Sequence, residues 1–503
     1  MRRLTPMVFL LASLVAPLAH AAAVRDVSAA DAAAKAFAPT ATRTRPAGPP
    51  VTTVQGWLHQ GQRLPYRSIV SEWPVRGTDG GVIGVVVTQA YVAPAKPGVR
   101  RPVTFVYNGG PGAASWSLQM EGIGPKRYDA TSGRVVDNPD SILDATDLVF
   151  IDPLGTGASF PMAGADASSV WNTPGDAAAI VAVIGDWLEA NHRTDSPQLL
   201  FGESYGTLRS LAVLHADATH PRLNISGVML LSLFLGIGKG EDLDAVTLLP
   251  SLATTAYVHG LRRVPAASPQ QAYDDALVFA RNCYAPALLE GNSLSAERLH
   301  AVAAEMSDQI GVPAEVLEAS RLRIDRNQFR QAVRLASSDA RIGSLDTRVV
   351  GTAALDGLAA PYNDPSMTLG KRPASLMESY LATLGYRVAA AYRPLNLTIN
   401  NGSWYFRAPA TATQEQDNAI DATDWLADAM RANPRLRVFA AGGYYDIATP
   451  LYDGRYMLDH ADIDRTRLTL AAYPAGHGVA EDPQQRRVLA ADLRAFIVQA
   501  TTR

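Results

Sequence analysis

Ser204 stands in Gly202-Glu-Ser-Tyr-Gly206, between an apolar run at 198–201 and a helical pattern of apolar residues. A strand that turns sharply into a helix through Gly-x-Ser-x-Gly holds its serine at the tip of the turn, where the hydroxyl is exposed as a nucleophile. Glycine is needed on both sides because a Cβ there would clash with the strand or the helix. The motif alone is common, so its interpretation depends on a base and an acid elsewhere in the chain.

A serine hydroxyl is a weak nucleophile and needs a general base, usually a histidine that a carboxylate orients. Among the nine histidines, His477 follows the predicted strand 468–473 in a glycine-flanked loop, although an exposed loop histidine is the alternative. Asp446 follows the predicted strand 436–441 in a glycine-rich loop, where an Asx-type turn is the alternative. Ser204, Asp446 and His477 occur in the chain order of the α/β hydrolases, which predicts a Ser–His–Asp triad.

The loop Tyr107-Asn-Gly-Gly-Pro-Gly112 follows a predicted strand and is rich in glycine. Such a loop can turn its backbone N–H groups toward an oxyanion, and the N–H of Tyr205, directly after the serine, would complete an oxyanion hole. A simple turn and a phosphate-binding loop are the alternatives. No Gly-Lys-Ser/Thr follows the loop, which disfavours phosphate binding.

The hydrophobic pattern predicts the elements that position these residues. Residues 51–92 alternate between apolar and polar, which indicates antiparallel strands at the start of a sheet. Short continuous apolar runs indicate strands buried on both faces; they lie at 101–107, 147–151, 198–201, 224–233, 436–441 and 468–473. Helical spacing occurs at 176–190 and 486–500, and between 236 and 392 it occurs at 267–282, 295–308, 313–320, 327–337 and 375–384.

Strands and helices alternate on both sides of the helical segment, which predicts an α/β-hydrolase fold: a doubly wound mixed sheet with an inserted, mainly helical cap. The expected organisation is a signal peptide at 1–21, an Ala/Pro-rich leader at 22–50, core segments at 51–235 and 393–503, and the cap at 236–392 between them.

Composition narrows the function classes. Of the 503 residues, 47% are hydrophobic and 18% are charged, which supports a large core and excludes global disorder. The net charge of −3 gives no electrostatic case for a nucleic-acid partner. Cys283 is the only cysteine, so no intramolecular disulfide can form, and we expect its side chain to be buried and inert. The sequence has no clustered ligand set, so we expect no metal and no organic cofactor.

The N-terminus has the pattern of a secretory signal. Met1-Arg-Arg3 is a positive start, residues 7–18 are apolar, and Ala19-His-Ala21 fits an Ala-x-Ala cleavage site. The apolar run is shorter than the roughly 20 residues that a membrane anchor needs. We therefore expect export to the periplasm or the medium, with no membrane attachment after cleavage. Residues 22–50 are rich in Ala, Pro and Thr, which predicts a flexible leader.

Taken together, four stretches of the sequence resemble the serine carboxypeptidase family in type and order. They are Asn108-Gly-Gly-Pro-Gly112, Asn138-Pro-Asp-Ser141 with Leu148-Val-Phe-Ile-Asp-Pro153, Gly202-Glu-Ser-Tyr205 and Ala475-Gly-His477. The segment between about 236 and 392 matches only loosely. Four features depart from the family pattern: Ala113-Ala-Ser115 replaces a Cys-Ser-Ser, Gly206 replaces the usual Ala, the family disulfides cannot form, and Gly122-Ile123 shifts the spacing around Glu121 by one residue.

The resemblance implies roles for individual residues. Ser204 would be the nucleophile, with Asp446 and His477 as its partners, and the N–H groups of Gly110 and Tyr205 would form the oxyanion hole. The substrate carboxylate would be bound by a further set of residues, which are Asn108, Gly109, Glu203 and Glu121. For Glu203, a solvated position at the elbow is the alternative.

The expected activity is that of an exported serine-type carboxypeptidase, which hydrolyses C-terminal bonds of peptide substrates through an acyl-enzyme. An esterase or acyltransferase with the same triad, and a catalytically inactive binding protein, are the alternatives. Two glutamates bind a carboxylate only when protons are shared among the three groups. Peptide binding should therefore weaken as pH rises.

We predict that the exported chain starts at about Ala22, because the cleavage site ends at Ala21. Intact-mass spectrometry of protein recovered outside the inner membrane should give the mass of the shortened chain. A retained Met1 in that fraction would contradict the prediction.

Overall fold

The computed structural model describes residues 27–96, 98–333, 335, 337–399, 404–406 and 419–502. The predicted signal peptide at 1–21 lies outside the described residues. The strands are β1 (Val51–His59), β2 (Gln62–Arg76), β3 (Val82–Val92), β4 (Val103–Tyr107), β5 (Lys126–Asp129), β6 (Arg134–Asp137), β7 (Asp147–Asp152), β8 (Phe160–Pro161), β9 (Gln198–Glu203), β10 (Ile225–Leu231), β11 (Gly236–Ile237), β12 (Ala340–Ile342), β13 (Val350–Thr352), β14 (Ile420–Asp421), β15 (Arg437–Gly443) and β16 (Leu468–Tyr473).

The α-helices are α1 (Ala29–Ala36), α2 (Thr173–Ala190), α3 (Tyr205–Thr219), α4 (Glu241–Val258), α5 (Pro269–Phe279), α6 (Ala285–Glu290), α7 (Ala296–Ile310), α8 (Ala314–Ala319), α9 (Arg326–Ala332), α10 (Ala374–Thr383), α11 (Thr423–Ala432), α12 (Leu451–His460) and α13 (Pro483–Thr501). A π-helical turn covers Ser117–Ile123. Within the described ranges, none of these helices has both the length and the apolar character needed to cross a bilayer.

The main sheet has the strand order β1-β2-β3-β7-β4-β9-β10-β15-β16, and β8 pairs with β3 at one side. The strands from β1 to β3 are antiparallel, as is the pairing of β3 with β7, and the strands from β7 to β16 run parallel. Strands β4, β7 and β9 are buried along their whole length, which explains their continuous apolar sequences. The predicted doubly wound mixed sheet is therefore present.

Helices cover both faces of this sheet. Apolar side chains of α2, α3 and α11 pack on one face, and those of α13 pack on the other. Because the parallel strands end at one edge, the loops that follow β4, β9, β15 and β16 meet there. This edge carries the predicted site residues.

The insertion between β10 and β15 holds helices α4 to α10. Five of these seven helices correspond to predicted ones, but α4 and the short α6 have no counterpart among the predictions. Residues 245–256 of α4 are buried on every side, and Pro250 lies inside the helix. A helix that is buried on all sides has no amphipathic period for the sequence to reveal, and the buried residues of α4 include threonines and a serine as well as apolar side chains. The single cysteine, Cys283, is only partly buried at the edge of the apolar cluster of these helices.

The prediction of a flexible leader is wrong for residues 27–50. Helix α1 begins after Ser28, whose hydroxyl accepts a hydrogen bond from the N–H of Asp31. One face of this helix packs on the insertion, through contacts among Ala32, Ala33, Ala36, Tyr362, Met367 and Leu395. Further along, Arg43 is buried and pairs with Glu72 at 2.9 Å. The composition predicted a flexible leader because alanine side chains are small. They form a packing surface only when another apolar surface, here that of the insertion, lies against them.

A buried arginine connects the elements around the site. The Arg209 guanidinium of α3 donates from Nε to Asp176 at 2.6 Å and from Nη1 to the carbonyl of Asn108 at 2.6 Å. It also lies between two aromatic rings, 5.4 Å from the centroid of Tyr107 and 4.9 Å from that of Tyr205. One side chain thus connects the end of β4, the start of α2 and the first turns of α3.

We predict that Asp176→Ala strongly destabilises the protein, because it leaves the Arg209 charge buried without its partner. Loss of one member of a buried pair typically costs about 3–5 kcal/mol. Thermal unfolding monitored by circular dichroism measures the effect. The control is Asp186→Ala, which breaks an exposed pair with Arg222 and should change stability by less than about 1 kcal/mol. Equal melting of both variants would contradict the prediction.

Candidate active site

Ser204 occupies a sharp turn between β9 and α3. Its backbone has φ 61° and ψ −130°, a region that non-glycine residues rarely adopt, and its N–H donates to the carbonyl of Leu231 at 2.9 Å. A Cβ on Gly202 would collide with the Gly206 carbonyl, and one on Gly206 would lie 2.9 Å from the Tyr107 carbonyl. The local geometry is therefore that of the predicted nucleophile elbow.

Asp446 and His477 are hydrogen-bonded to each other. The Nδ1 of His477 lies 2.7 Å from Oδ2 of Asp446, whose side chain is completely buried. Oδ1 of Asp446 accepts hydrogen bonds from the N–H groups of Ala448 at 2.8 Å and Thr449 at 3.0 Å, and the Thr449 hydroxyl donates to Oδ2 at 2.7 Å. The carboxylate therefore closes its own turn and also orients the imidazole. From the sequence alone, closing an Asx-type turn and orienting the histidine were alternative roles of Asp446.

Ser204 and His477 line the same cleft, which has a volume of about 790 Å³. Asn108, Gly109 and Gly110 line it as well, and Asp446 lies behind His477. The structure thus brings the predicted nucleophile, base and glycine loop to one place, with Nε2 of His477 left without an acceptor or donor among the described residues. The catalytic roles of these groups stay predictions.

The glycine loop lies directly against the elbow. A Cβ on Gly109 would stand 2.5 Å from the Tyr205 nitrogen, and Gly110 has a positive φ of 104°. Among the hydrogen bonds of the described residues, the backbone N–H groups of Gly109, Gly110 and Tyr205 have no acceptor. Free N–H groups beside a serine are what an oxyanion hole requires.

Asn108 connects the loop to Glu203. Its Nδ2 donates to Oε1 of Glu203 at 2.7 Å and to the hydroxyl of Ser117 at 2.7 Å. The other carboxyl oxygen of Glu203 is buried and has no hydrogen-bond partner within the described chain. Burial raises the pKa of Glu203 to about 7, against the opposing effects of His477 and the Asn108 hydrogen bond. The alternative of a solvated elbow residue is therefore wrong.

Glu121 is not among the residues that line the cleft. Its carboxylate pairs with Nε of Arg372 at 2.8 Å. The structure instead places Glu481, four residues after His477, on the cleft wall. Burial, with the nearby carboxyls of Glu121 and Glu203, raises the pKa of Glu481 to about 8. Sequence reasoning missed Glu481, although its closeness to the histidine was a usable signal.

A segment of the cap is hydrogen-bonded to the loop that carries Asp446 and to the loop that carries His477. The N–H of His477 donates to the carbonyl of Leu345 at 2.6 Å, and the N–H of Ile447 donates to that of Ser344 at 3.0 Å. The N–H of Thr347 donates in turn to the carbonyl of Tyr445 at 2.9 Å. Residues 344–347, which we call the cap strap, therefore fix the distance between Asp446 and His477. Nothing in the sequence pattern indicated this segment.

The charge on His477 depends on its acidic neighbours. Burial lowers the pKa of the imidazole, but the carboxyls of Asp446, Glu203 and Glu481 together outweigh burial and raise the pKa to about 9. The positive charge of His477 in turn favours ionisation of Glu203. These groups titrate as one system, so a change at Glu203 should alter the pKa of His477.

Comparisons with known proteins agree with this geometry. Residues 91–231 match the serine carboxypeptidase family. Kex1(delta)p, a prohormone-processing carboxypeptidase from Saccharomyces cerevisiae, is similar in structure with a TM-score of 0.55 at 14% identity, over 86% of this chain and 91% of that one. A thermophilic esterase from Thermogutta terrifontis aligns with a TM-score of 0.36 at 14% identity, over 86% and 99% of the two chains. No curated protein sequence matches this chain.

The family match confirms the resemblance to serine carboxypeptidases over residues 91–231 of the chain. The matched residues 91–231 contain the glycine loop, the Asn138-Pro-Asp-Ser141 stretch and the nucleophile elbow. The likeness to the yeast structure shows the fold, so the predicted α/β-hydrolase fold is also confirmed.

We predict that Glu203→Gln shifts the pH profile of ester hydrolysis to lower pH. Neutral His477 acts as the base, so activity toward an uncharged ester rises as His477 loses its proton. Glu203 helps to raise the pKa of His477 to about 9, and removing that carboxylate should lower it. The measurement is kcat/KM against pH for an acyl ester that has no carboxylate. An unchanged midpoint would contradict the coupling.

Proposed function

We propose that the protein is an exported serine carboxypeptidase that removes C-terminal residues from peptides through an acyl-enzyme on Ser204. The family match at residues 91–231 supports the peptidase class. Export is proposed from the signal-peptide pattern at residues 1–21.

Acylation begins when the Ser204 hydroxyl attacks the carbonyl carbon of the last peptide bond. The Nδ1 of His477 is engaged by Asp446, which leaves Nε2 to accept the serine proton. The N–H groups of Gly110 and Tyr205 stabilise the oxyanion that forms. His477 then protonates the amine of the departing C-terminal residue. A water molecule activated by His477 hydrolyses the acyl-enzyme and regenerates Ser204.

The observation that carries the proposal is the buried carboxyl of Glu203 beside the nucleophile, with one oxygen unpartnered in the described chain. With its pKa raised to about 7, Glu203 is protonated in mild acid and can donate a hydrogen bond to a substrate carboxylate. Asn108 holds the carboxyl in place, and Gly109, whose N–H has no acceptor among the described residues, lines the same cleft. Hydrolysis of an ester or an internal peptide bond requires no such group.

An esterase or acyltransferase with the same triad is the second candidate, and a catalytically inactive binding protein is the third. The buried Glu203 favours neither of them. The three candidate functions differ in how the protein should act on a peptide with a free C-terminus. The free-acid and amide forms of one peptide therefore distinguish them.

We predict that the wild-type protein hydrolyses an N-blocked dipeptide with a free C-terminus and prefers it to the C-terminal amide. The preference in KM should decrease as pH rises and the glutamates ionise. Ser204→Ala should lose turnover by a factor on the order of 10⁴–10⁶ with unchanged melting, and His477→Ala should be about as severe. Asp446→Asn should be somewhat less severe. Amino-acid release followed by chromatography measures each rate.

A fluorophosphonate probe provides the control, because only an activated serine reacts with it. Labelling that Ser204→Ala abolishes, combined with equal hydrolysis of acid and amide, would establish a hydrolase and contradict the carboxypeptidase proposal. Absence of labelling in the wild-type protein would favour the binding protein.

A further inference from the structure

A second carboxyl group, that of Glu481, faces the cleft beside Glu203. The N–H of Glu481 donates to the carbonyl of Gly478 at 3.0 Å, which closes a turn directly after His477. The side chain folds back over this turn: a Cβ on Gly478 would lie 2.7 Å from Cδ and 2.9 Å from Oε2 of Glu481. The absence of a side chain at Gly478 therefore leaves the space that the Glu481 carboxyl occupies.

Neither glutamate of the cleft is neutralised by a cation. Among the described residues, Glu203 and Glu481 form no ion pair with a lysine or an arginine, whereas Glu121 pairs with Arg372. Ser117, which also lines the cleft, accepts a hydrogen bond from Asn108 and interacts with Glu481. The two unneutralised carboxyls thus lie on the same polar wall, with Asn108 and Ser117 between them.

We infer that Glu481, and not Glu121, is the second acidic residue that binds the C-terminal carboxylate of the substrate, together with Glu203. This inference rests on the proposed carboxypeptidase function. Arg326, Arg330 and Arg348 line the cleft, but none of them pairs with Glu203 or Glu481 among the described residues. A carboxylate binds beside these two carboxyls only if protons stay on them, since three negative groups would repel one another. Protonated carboxyls donate strong hydrogen bonds to a carboxylate, and the N–H of Gly109 adds a further donor.

The raised pKa values of Glu203, to about 7, and Glu481, to about 8, fit this role, because both groups hold protons in mild acid. Three charged groups act on the pKa of Glu481: Glu203 at the end of β9, Glu121, which pairs with Arg372, and His477 on its own loop. His477 is the group among them that lowers the pKa of Glu481, and its ionisation state changes over the same pH range. The cleft wall also carries Arg326, Arg330, Asp346 and the Asp482–Arg348 pair.

The test compares Glu481→Ala, Glu481→Gln and Glu121→Gln with Glu305→Gln, an exposed residue of α7 that serves as the matched control. Each variant is given one N-blocked dipeptide as the free acid and as the amide. Glu481→Ala should raise KM for the free acid by about tenfold to a hundredfold, the worth of a hydrogen bond to a charged group, and leave KM for the amide within about twofold.

Glu481→Gln keeps a neutral N–H donor that cannot ionise. Its KM for the free acid should stay within a few-fold of wild type at acidic pH and rise less steeply than wild type between about pH 7 and 9. If Glu481→Ala fails to fold, the pH slope of Glu481→Gln still tests whether Glu481 binds the substrate carboxylate. Glu305→Gln should keep the wild-type KM ratio and slope. Glu121→Gln should keep the wild-type KM ratio in mild acid, but its KM for the free acid should begin to rise at lower pH, because loss of the Glu121 charge lowers the pKa of Glu481.

Loss of the acid preference in Glu121→Gln, with a wild-type ratio in Glu481→Ala, would overturn the inference while the proposed function stands. A wild-type pH slope in Glu481→Gln would overturn it as well. Equal use of acid and amide by the wild-type protein would instead overturn the proposed function itself.

Discussion

The backbone of the glycine loop lies against the nucleophile elbow, and the other candidate groups depend on that approach. At Gly109 the two chains are too close for even one extra carbon atom, since a Cβ would stand 2.5 Å from the Tyr205 nitrogen. The buried Arg209 maintains this contact by bonding the Asn108 carbonyl from the elbow helix. The approach positions the free N–H groups beside Ser204 and brings Asn108 within 2.7 Å of Glu203. The proposed oxyanion hole and the proposed carboxylate site thus share one structural origin.

Most of the fold was predictable because its signals are local. The buried strands have continuous apolar sequences, and the elbow and glycine loop follow directly from them in the chain. The residues whose contacts come from distant segments were not predictable. Helix α4 is buried all round and has no periodic pattern, while the alanines of α1 become a packing surface only against the cap. Composition therefore indicated a flexible leader where the structure has packed chain.

The candidate site divides in the same way, into residues that local motifs indicate and residues whose positions depend on distant segments. Ser204, Asp446 and His477 were found from motif, order and neighbouring glycines, and the structure brings them to one sheet edge. Glu121 was selected through a family resemblance in a region where the spacing departs from the family pattern. The structure pairs it with Arg372, and Glu481 lines the cleft instead. Which of two glutamates faces a cavity depends on side-chain direction and on the position of one arginine, neither of which a motif encodes.

The cap strap has a consequence for the order in which the protein assembles. The elbow and the glycine loop lie in the first half of the chain and are held by β4, β9 and Arg209. The acid and base loops come from the last part of the chain, and the strap between them belongs to the insertion. A newly synthesised chain can therefore form its nucleophile turn early, yet the base reaches its place only after the insertion has folded. The arrangement of Ser204, Asp446 and His477 around one cleft is then the last part of the candidate site that the folding chain completes.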